Sequence, residues 1–266
     1  PYVSTGNHGP FLSQFRPTDI SNCTMWLDAA DSSSITISSG SSISSWKDKS
    51  VSGNNANQAT QLNQPTLTTV SAMSNRQAVY FPSTSIQLVT TSNNYVTGNT
   101  SRTLFVITYL PNTSSRITFG TGAHSVSSPP TAFGIDELSS STLLYAPYVY
   151  GGAADNTFSV ALSGAQCIYS YYDSSASQVG GGYNFTGFAT KSSTLNTTAT
   201  PWYFGARPDP QGSTTGYICE FIFYARYLTT QERQQVEGYL AWKWGLTSNL
   251  PSTHPFKNFP PLKINS

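Results

Sequence analysis

Charge is scarce in this chain. Asp, Glu, Lys and Arg make up 9% of its 266 residues, against about 25% in ordinary globular proteins. The 13 basic and 12 acidic residues nearly cancel, leaving a formal net charge of +1. That balance excludes a general electrostatic pull toward nucleic acid or anionic lipid. Long apolar runs are also missing. None approaches the ~20 residues of a membrane span, so no membrane insertion is expected. Cysteine is rare, with Cys23, Cys167 and Cys219 far apart and lacking the CxxC spacing of a metal site. They read as small buried apolar residues, at least one of them a free thiol because the count is odd. One disulfide plus a spare thiol is the alternative. No Met or signal-like segment precedes Pro1, as in a processed or trimmed product.

Ser, Thr, Asn, Gln and Gly take the place of charge. Aromatic residues reach 13%, which suits pleated, half-buried surfaces. A disordered chain would have few aromatics and a high net charge, and this one has neither. The length fits one large all-β domain, and no linker-like break interrupts it. Asn-x-Ser/Thr sequons stand at Asn22, Asn99, Asn112, Asn184 and Asn196. They are glycosylation sites only in a host that glycosylates its proteins.

Residues 1–20 lack periodicity and read as an N-terminal arm lying on the domain or on a neighbour. Residues 21–250 form the domain, and 251–266 a Pro-rich tail. Short apolar or alternating segments recur between polar and Gly-rich turns, the pattern of a sandwich or barrel. Thr103–Tyr109 is nearly continuous in apolar residues, as expected of a central strand. One helix is expected, over 229–244. Thr229 and Glu232 suit a capping box. Val236, Tyr239, Leu240 and Trp244 fall on one stripe with the Lys243 stem at its edge. Gly245 follows as the terminating residue.

Three groups of segments carry a family resemblance. The first is Met25-Trp-Leu-Asp-Ala-Ala-Asp31 with Trp46-Lys-Asp-Lys-Ser50 and the Gly53-Asn54-Asn55 turn. The second is Asn75-Arg-Gln-Ala-Val-Tyr-Phe81 with the strand 103–109. The third joins Phe204-Gly-Ala-Arg207, Gly216–Tyr224 and Leu228–Gly245. Together they resemble the concanavalin A-like, laminin-G-type jelly roll, as found in bacterial surface proteins and structural proteins of large DNA viruses. The resemblance implies an all-β, antiparallel two-sheet sandwich closed by one C-terminal helix. Residues 110–200 match it poorly, and in this fold that region usually supplies the ligand-binding loops.

Candidate chemistry is sparse. Glycosidases on this fold flank the scissile bond with paired carboxylates. Asp136 and Glu137 are the close acidic pair of the middle region, but adjacent strand residues point to opposite faces. His124 sits in a Gly/Ser/Pro loop and reads as a solvated loop residue. A Ca²⁺ site is conceivable at Asp155, with Asp28 plus Asp31 and Asp209 as rivals, although turn chemistry accounts for each. The strongest ligand candidate is Tyr148, Tyr150, Gly152, Asp155 and Asn156, where rings, backbone freedom and acceptors coincide. The competing reading is a plain hairpin turn between core strands. Glu220 lies in an apolar run and needs a partner, with Arg207 or Arg226 expected.

From the sequence, we expect a non-enzymatic surface or structural protein, virion- or capsid-associated, located on the virion surface or outside the cell. Its expected partners are other virion or surface proteins, glycans, and further copies of itself. A carbohydrate-binding module of a secreted protein is the first alternative, and a glycan-active hydrolase or lyase the second.

Overall fold

Two nearly continuous apolar runs, Arg102–Leu110 and Gly216–Tyr224, become neighbouring antiparallel strands at the centre of a sheet. Continuous apolarity is what a strand needs when both its faces are covered. The computed structural model describes residues 12–83, 85–93, 96–112, 115–116, 118–123, 129–139, 142–145, 156–159, 163–187, 190–206 and 215–264. For 12, 136–139, 142–145, 156–159 and 264 it describes the backbone only.

The ladders form two layers. In the first, Gly216–Tyr224 pairs with Cys23–Asp28 and Arg76–Phe81 on one side and with Arg102–Leu110 on the other. Gly164–Asp173 and Gln178–Tyr183 extend it. In the second, Ser42–Trp46, Ala56–Asn57, Leu88–Thr90, Tyr203–Phe204, Thr118–Gly122 and Ala132–Ser139 pair in turn. Among the described residues every strand pairing is antiparallel. The layers meet through rings: Phe221 lies 5.1 Å from Phe204 and 5.5 Å from Phe119, and Trp202 lies 5.0 Å from Phe223. The architecture is an all-β sandwich, as the sequence indicates.

The helix Thr230–Trp244 covers the outer face of the first sheet and creates a second core. Val236, Leu240 and Trp244 pack there with Phe105, Ile107 and Ile222. Its ends match the sequence reading. Thr229 accepts from the Glu232 backbone while Glu232 accepts from Thr229, and Gly245 adopts φ 73°. That left-handed conformation stops the helix at low cost only with glycine. Leu240 is 1% exposed, so Leu240→Ala is expected to lower unfolding stability by ~2–5 kcal/mol in urea denaturation.

Both ends of the described chain come back to this helix. Leu12–Gln14 pairs antiparallel with Leu262–Ile264, separately from the sandwich. Lys263 ion-pairs with Asp19 at 2.7 Å. Among the described residues no helix is long and apolar enough to cross a membrane.

Cys23, Cys167 and Cys219 are all free and buried. Burial raises the Cys23 thiol to about 12, with Asp48 adding to the shift, and burial raises Cys167 and Cys219 as well. Thiolate is the reactive species, so native-state labelling should be slow and become fast on denaturation. Rapid native labelling would contradict this burial.

Candidate functional site

The site grows from a β-bulge. Between Ile218 and Glu220 the register against Arg102–Leu110 shifts by one residue. An extra residue in a strand re-aims the side chains after it. Ile218 faces the inter-sheet core, whereas Glu220 joins Ile222 and Tyr224 on the face beneath the helix. Glu220 is 0% exposed. Its carboxylate accepts from Trp26 Nε1 at 2.7 Å, Tyr239 OH at 2.8 Å and Trp244 Nε1 at 2.6 Å, and it ion-pairs with Lys243 Nζ at 2.9 Å. A buried carboxylate is tolerable when paired and fully bonded.

Among the described residues Lys243 is thus the partner of Glu220, in place of Arg226. Arg226 is bonded to Glu232 at 2.6 Å instead, and Arg207 lies outside the described residues. The stem of Lys243 runs along the edge of the helix stripe, and its ammonium also reaches Asp28 at 2.6 Å. Asp28 stands directly opposite Glu220 across the strands, so one ammonium joins both carboxylates. A second ammonium, Lys49, binds Asp28 at 2.8 Å and Asp31 at 2.7 Å and sits 4.2 Å from the Trp26 ring centre. Lys49 is placed by a turn built on Asp48, whose side chain accepts from the backbone N–H groups of Trp26, Ser50 and Asn54. This explains the Trp46-Lys-Asp-Lys-Ser50 segment and its Gly53-Asn54-Asn55 turn.

The electrostatics follow from the contacts. Hydrogen bonds from Lys49 and then Ser33 lower Asp31 from 3.8 to about 2. Burial alone would lower Lys49, but its bonds to Asp28 and Asp31 outweigh burial and hold it above its ordinary value. Arg226 likewise lowers Glu232 from 4.5 to about 2. Depressed carboxylates stabilise the fold above their ordinary values and lose that contribution as pH falls toward the folded value. Melting temperature should therefore fall between pH 4.5 and about 2. Both carboxylates are partly exposed, so solvent screening keeps the effect small. Asp31→Asn with Glu232→Gln should flatten this acid limb, and an unchanged limb would refute the assignment. The raised Lys49 predicts a further loss as pH rises above 10.5.

Beside this network opens a cleft of about 520 Å³. Helical spacing places Tyr239, Trp242 and Lys243 along one flank. Trp26, Asp28, Lys49 and Arg76 line it as well, while Gln14, Phe15, Arg16, Pro260 and Pro261 come from the two tied ends. Trp242 is 39% exposed, and its Nε1 donates to Phe256 O at 2.9 Å. Arg76 Nε donates to the Lys243 carbonyl at 2.6 Å, near the helix C-terminus.

Asp28 and Asp31 hold lysine ammonium groups, which removes them as a calcium site. Among the described residues no cluster of three or more His, Cys, Asp or Glu side chains could hold a metal. Tyr148, Tyr150, Gly152 and Asp155 lie outside the described residues, as do His124 and Asp209. Asn156 is described in its backbone and pairs with Tyr145, so residues 146–155 connect two paired strands. Asp136 and Glu137 are consecutive in the strand Ala132–Ser139. Tyr172 is core, and Tyr169 lies with the Arg233 guanidinium 5.3 Å from its ring centre. A Cβ at Gly182 would come within 2.1 Å of the Tyr169 ring, which accounts for glycine in the strand beside it. Of the sequon residues, Asn22, Asn99, Asn112 and Asn196 are exposed and Asn184 is half-buried. Asn99 accepts from Tyr172 OH, and Asn184 Oδ1 accepts from the Cys167 N–H at 3.0 Å.

No protein-family model and no curated sequence matches the chain. Solved structures do share its fold. An arabinofuranosidase complexed with arabinofuranosyl-α-1,2-xylobiose matches 82% of this chain and 58% of its own at 11% identity, with a TM-score of 0.52. A GH54 α-L-arabinofuranosidase soaked with 4-nitrophenyl α-L-arabinofuranoside matches 74% and 50% at 12% identity, with a TM-score of 0.50. The NanB sialidase from Streptococcus pneumoniae matches 56% and 27% at 14% identity, with a TM-score of 0.42. The chain therefore spans about half the length of the two arabinofuranosidases and about a quarter of the sialidase. At these identities the likeness to the two arabinofuranosidases shows a shared β-sandwich fold alone.

These neighbours correct the expectation of a non-enzymatic, virion- or capsid-associated structural protein. The two arabinofuranosidases that share the fold are glycoside hydrolases, and virion partners gain no support. The sequence reading went astray because the segments carrying the viral resemblance, Gly216–Tyr224 and the helix, are scaffold, and scaffold is common to unrelated functions.

Proposed function

We propose that this chain is a glycan-active β-sandwich of the glycoside hydrolase kind, holding saccharide in the cleft between the helix and the tied chain ends. The make-up of the cleft carries this reading. It sets the fixed Trp242 ring and two prolines against polar and charged donors. Carbohydrate sites combine an apolar stacking surface with a few placed polar groups, in clefts of about 300–1,000 Å³. The arabinofuranosidases of the same fold, described with arabinofuranosyl compounds, support it. An extracellular setting, where polysaccharides lie, belongs to the same proposal. Asp28 and Glu220 act in it as the frame of the cleft rather than as acid and base, because their oxygens are already occupied.

The test is a panel of arabinoxylan-, xylan- and pectin-derived oligosaccharides, with binding measured by calorimetry and cleavage by reducing-sugar release. Binding is expected, with Trp242→Ala weakening it by about tenfold, the scale of one lost aromatic contact. Release of sugar would assign hydrolysis to this chain itself. Binding without release would assign it the recognition part of a larger glycosidase. Neither binding nor release from any member would overturn the proposal.

A further inference from the structure

The charges around the cleft are unequal, and the inequality bears on what it holds. Four cationic side chains line it, Arg16, Lys49, Arg76 and Lys243, with a single carboxylate, Asp28. The lysines are already neutralised. Lys49 is shared by Asp28 and Asp31, and Lys243 by Asp28 and Glu220. The arginines are not. Among the described residues neither Arg16 nor Arg76 forms an ion pair, and the one bond of the Arg76 side chain goes to a backbone carbonyl. A smaller hollow of about 240 Å³ shares Gln14 and Arg16 with the cleft, and adds Lys263 and Asp19. Asp19 is occupied there by the Lys263 ammonium and the Arg16 backbone N–H, at 2.7 and 2.8 Å.

The carboxylates that line the cleft and its adjoining hollow, Asp28 and Asp19, thus each have a cation, and two guanidinium groups remain. Guanidinium presents paired N–H donors whose geometry matches a carboxylate. The Trp242 ring and Pro260–Pro261 supply an apolar wall beside those donors. We propose that the cleft selects saccharides bearing a carboxylate, of the uronic acid class, with the acid group received by Arg16 and Arg76 and a sugar ring lying against Trp242. This inference rests on the glycan reading above and names the ligand class for the same site.

The test uses matched pairs differing only in charge: an oligogalacturonate, an oligomannuronate and a glucuronate-bearing xylo-oligosaccharide, each with its methyl ester. Calorimetry on the whole chain at low salt should show at least one acid binding ~10-fold or more tighter than its ester, the scale of a charge-assisted hydrogen bond. That preference should shrink in ~0.5 M salt, because exposed charges are screened. Arg16→Gln should bring the ratio toward one. Its side chain has no structural bond among the described residues, so the variant should fold. Arg76→Gln should act in the same direction, with its melting temperature recorded because it also loses the bond to the helix end. Lys47→Gln removes the same charge outside the cleft and should leave the ratio unchanged. Esters binding as well as their acids, or an acid preference that survives Arg16→Gln, would overturn this inference and leave the glycan reading standing. Failure of both acids and esters, alongside binding of neutral oligosaccharides, would also overturn it alone. Failure of every saccharide would remove both.

Discussion

Glu220→Ala is expected to lower the unfolding free energy by ~3–5 kcal/mol, the range for removing one partner from a buried charged network. The variant would leave the indole N–H groups of Trp26 and Trp244 and the hydroxyl of Tyr239 without their acceptor. Each buried donor left unpaired costs about 1–3 kcal/mol, reduced where water can enter. Lys243 would keep Asp28, which limits the loss. Urea denaturation followed by tryptophan fluorescence would measure it, and the same two indoles would report the local change. Lys243→Met should also destabilise, and the double variant should cost less than the two single changes together, because they belong to one network. A loss below about 1 kcal/mol for Glu220→Ala would mean the network does not hold the helix, since surface changes alone produce about 0.5 kcal/mol.

This network shows where sequence reading succeeds and where it stops. A carboxylate inside Ile218-Cys-Glu-Phe-Ile-Phe223 announces that a partner exists, because isolated buried charge is costly. It does not say which partner. The donors come from Trp26, 194 residues away, and from a helix whose own pattern shows only that Lys243 borders an apolar stripe. The helix itself is legible to its boundaries, since capping box, stripe and terminal glycine are all local signals. The cleft is not legible. It exists because residues 12–14 pair with 262–264 across the length of the chain, and neither segment carries a periodic pattern that names the other. A usable signal was the position of Trp242. It lies on the same helical flank as Tyr239 and Lys243 but outside the buried stripe, so the helix pattern alone leaves its ring partly exposed.

The second large effect is expected at Arg102, in the opposite face of the first sheet. Its side chain is wholly buried and no carboxylate among the described residues pairs with it. Nε donates to Thr100 O at 2.8 Å, Nη1 to Val96 O at 3.0 Å and to Thr197 Oγ1 at 2.8 Å, and Nη2 to Gly98 O at 3.0 Å. The Phe133 ring centre lies 5.2 Å from the guanidinium carbon. Burial pushes the guanidinium below its ordinary value, with Tyr172 acting against the shift. The group is therefore stabilised by carbonyl dipoles rather than by a counter-charge, and it ties three carbonyls of one turn to the segment at Thr197. The backbone bonds between Gly98 and Thr197 complete that tie. Arg102→Ala would take a donor from four acceptors, of which Gly98 O keeps the Thr197 N–H, and leave a void where the stem packs, so a loss of at least ~3 kcal/mol is expected from the weakened polar groups and the cavity together. Arg102→Met keeps most of the stem and removes the bonds, so it isolates the polar part. It should retain the core packing yet free residues 96–100, which hydrogen exchange would show as amides opening well below the global unfolding energy. If Arg102→Met exchanges like the wild type at Gly98 and Thr197, the guanidinium is not the tie, and the turn is held by its own backbone bridge.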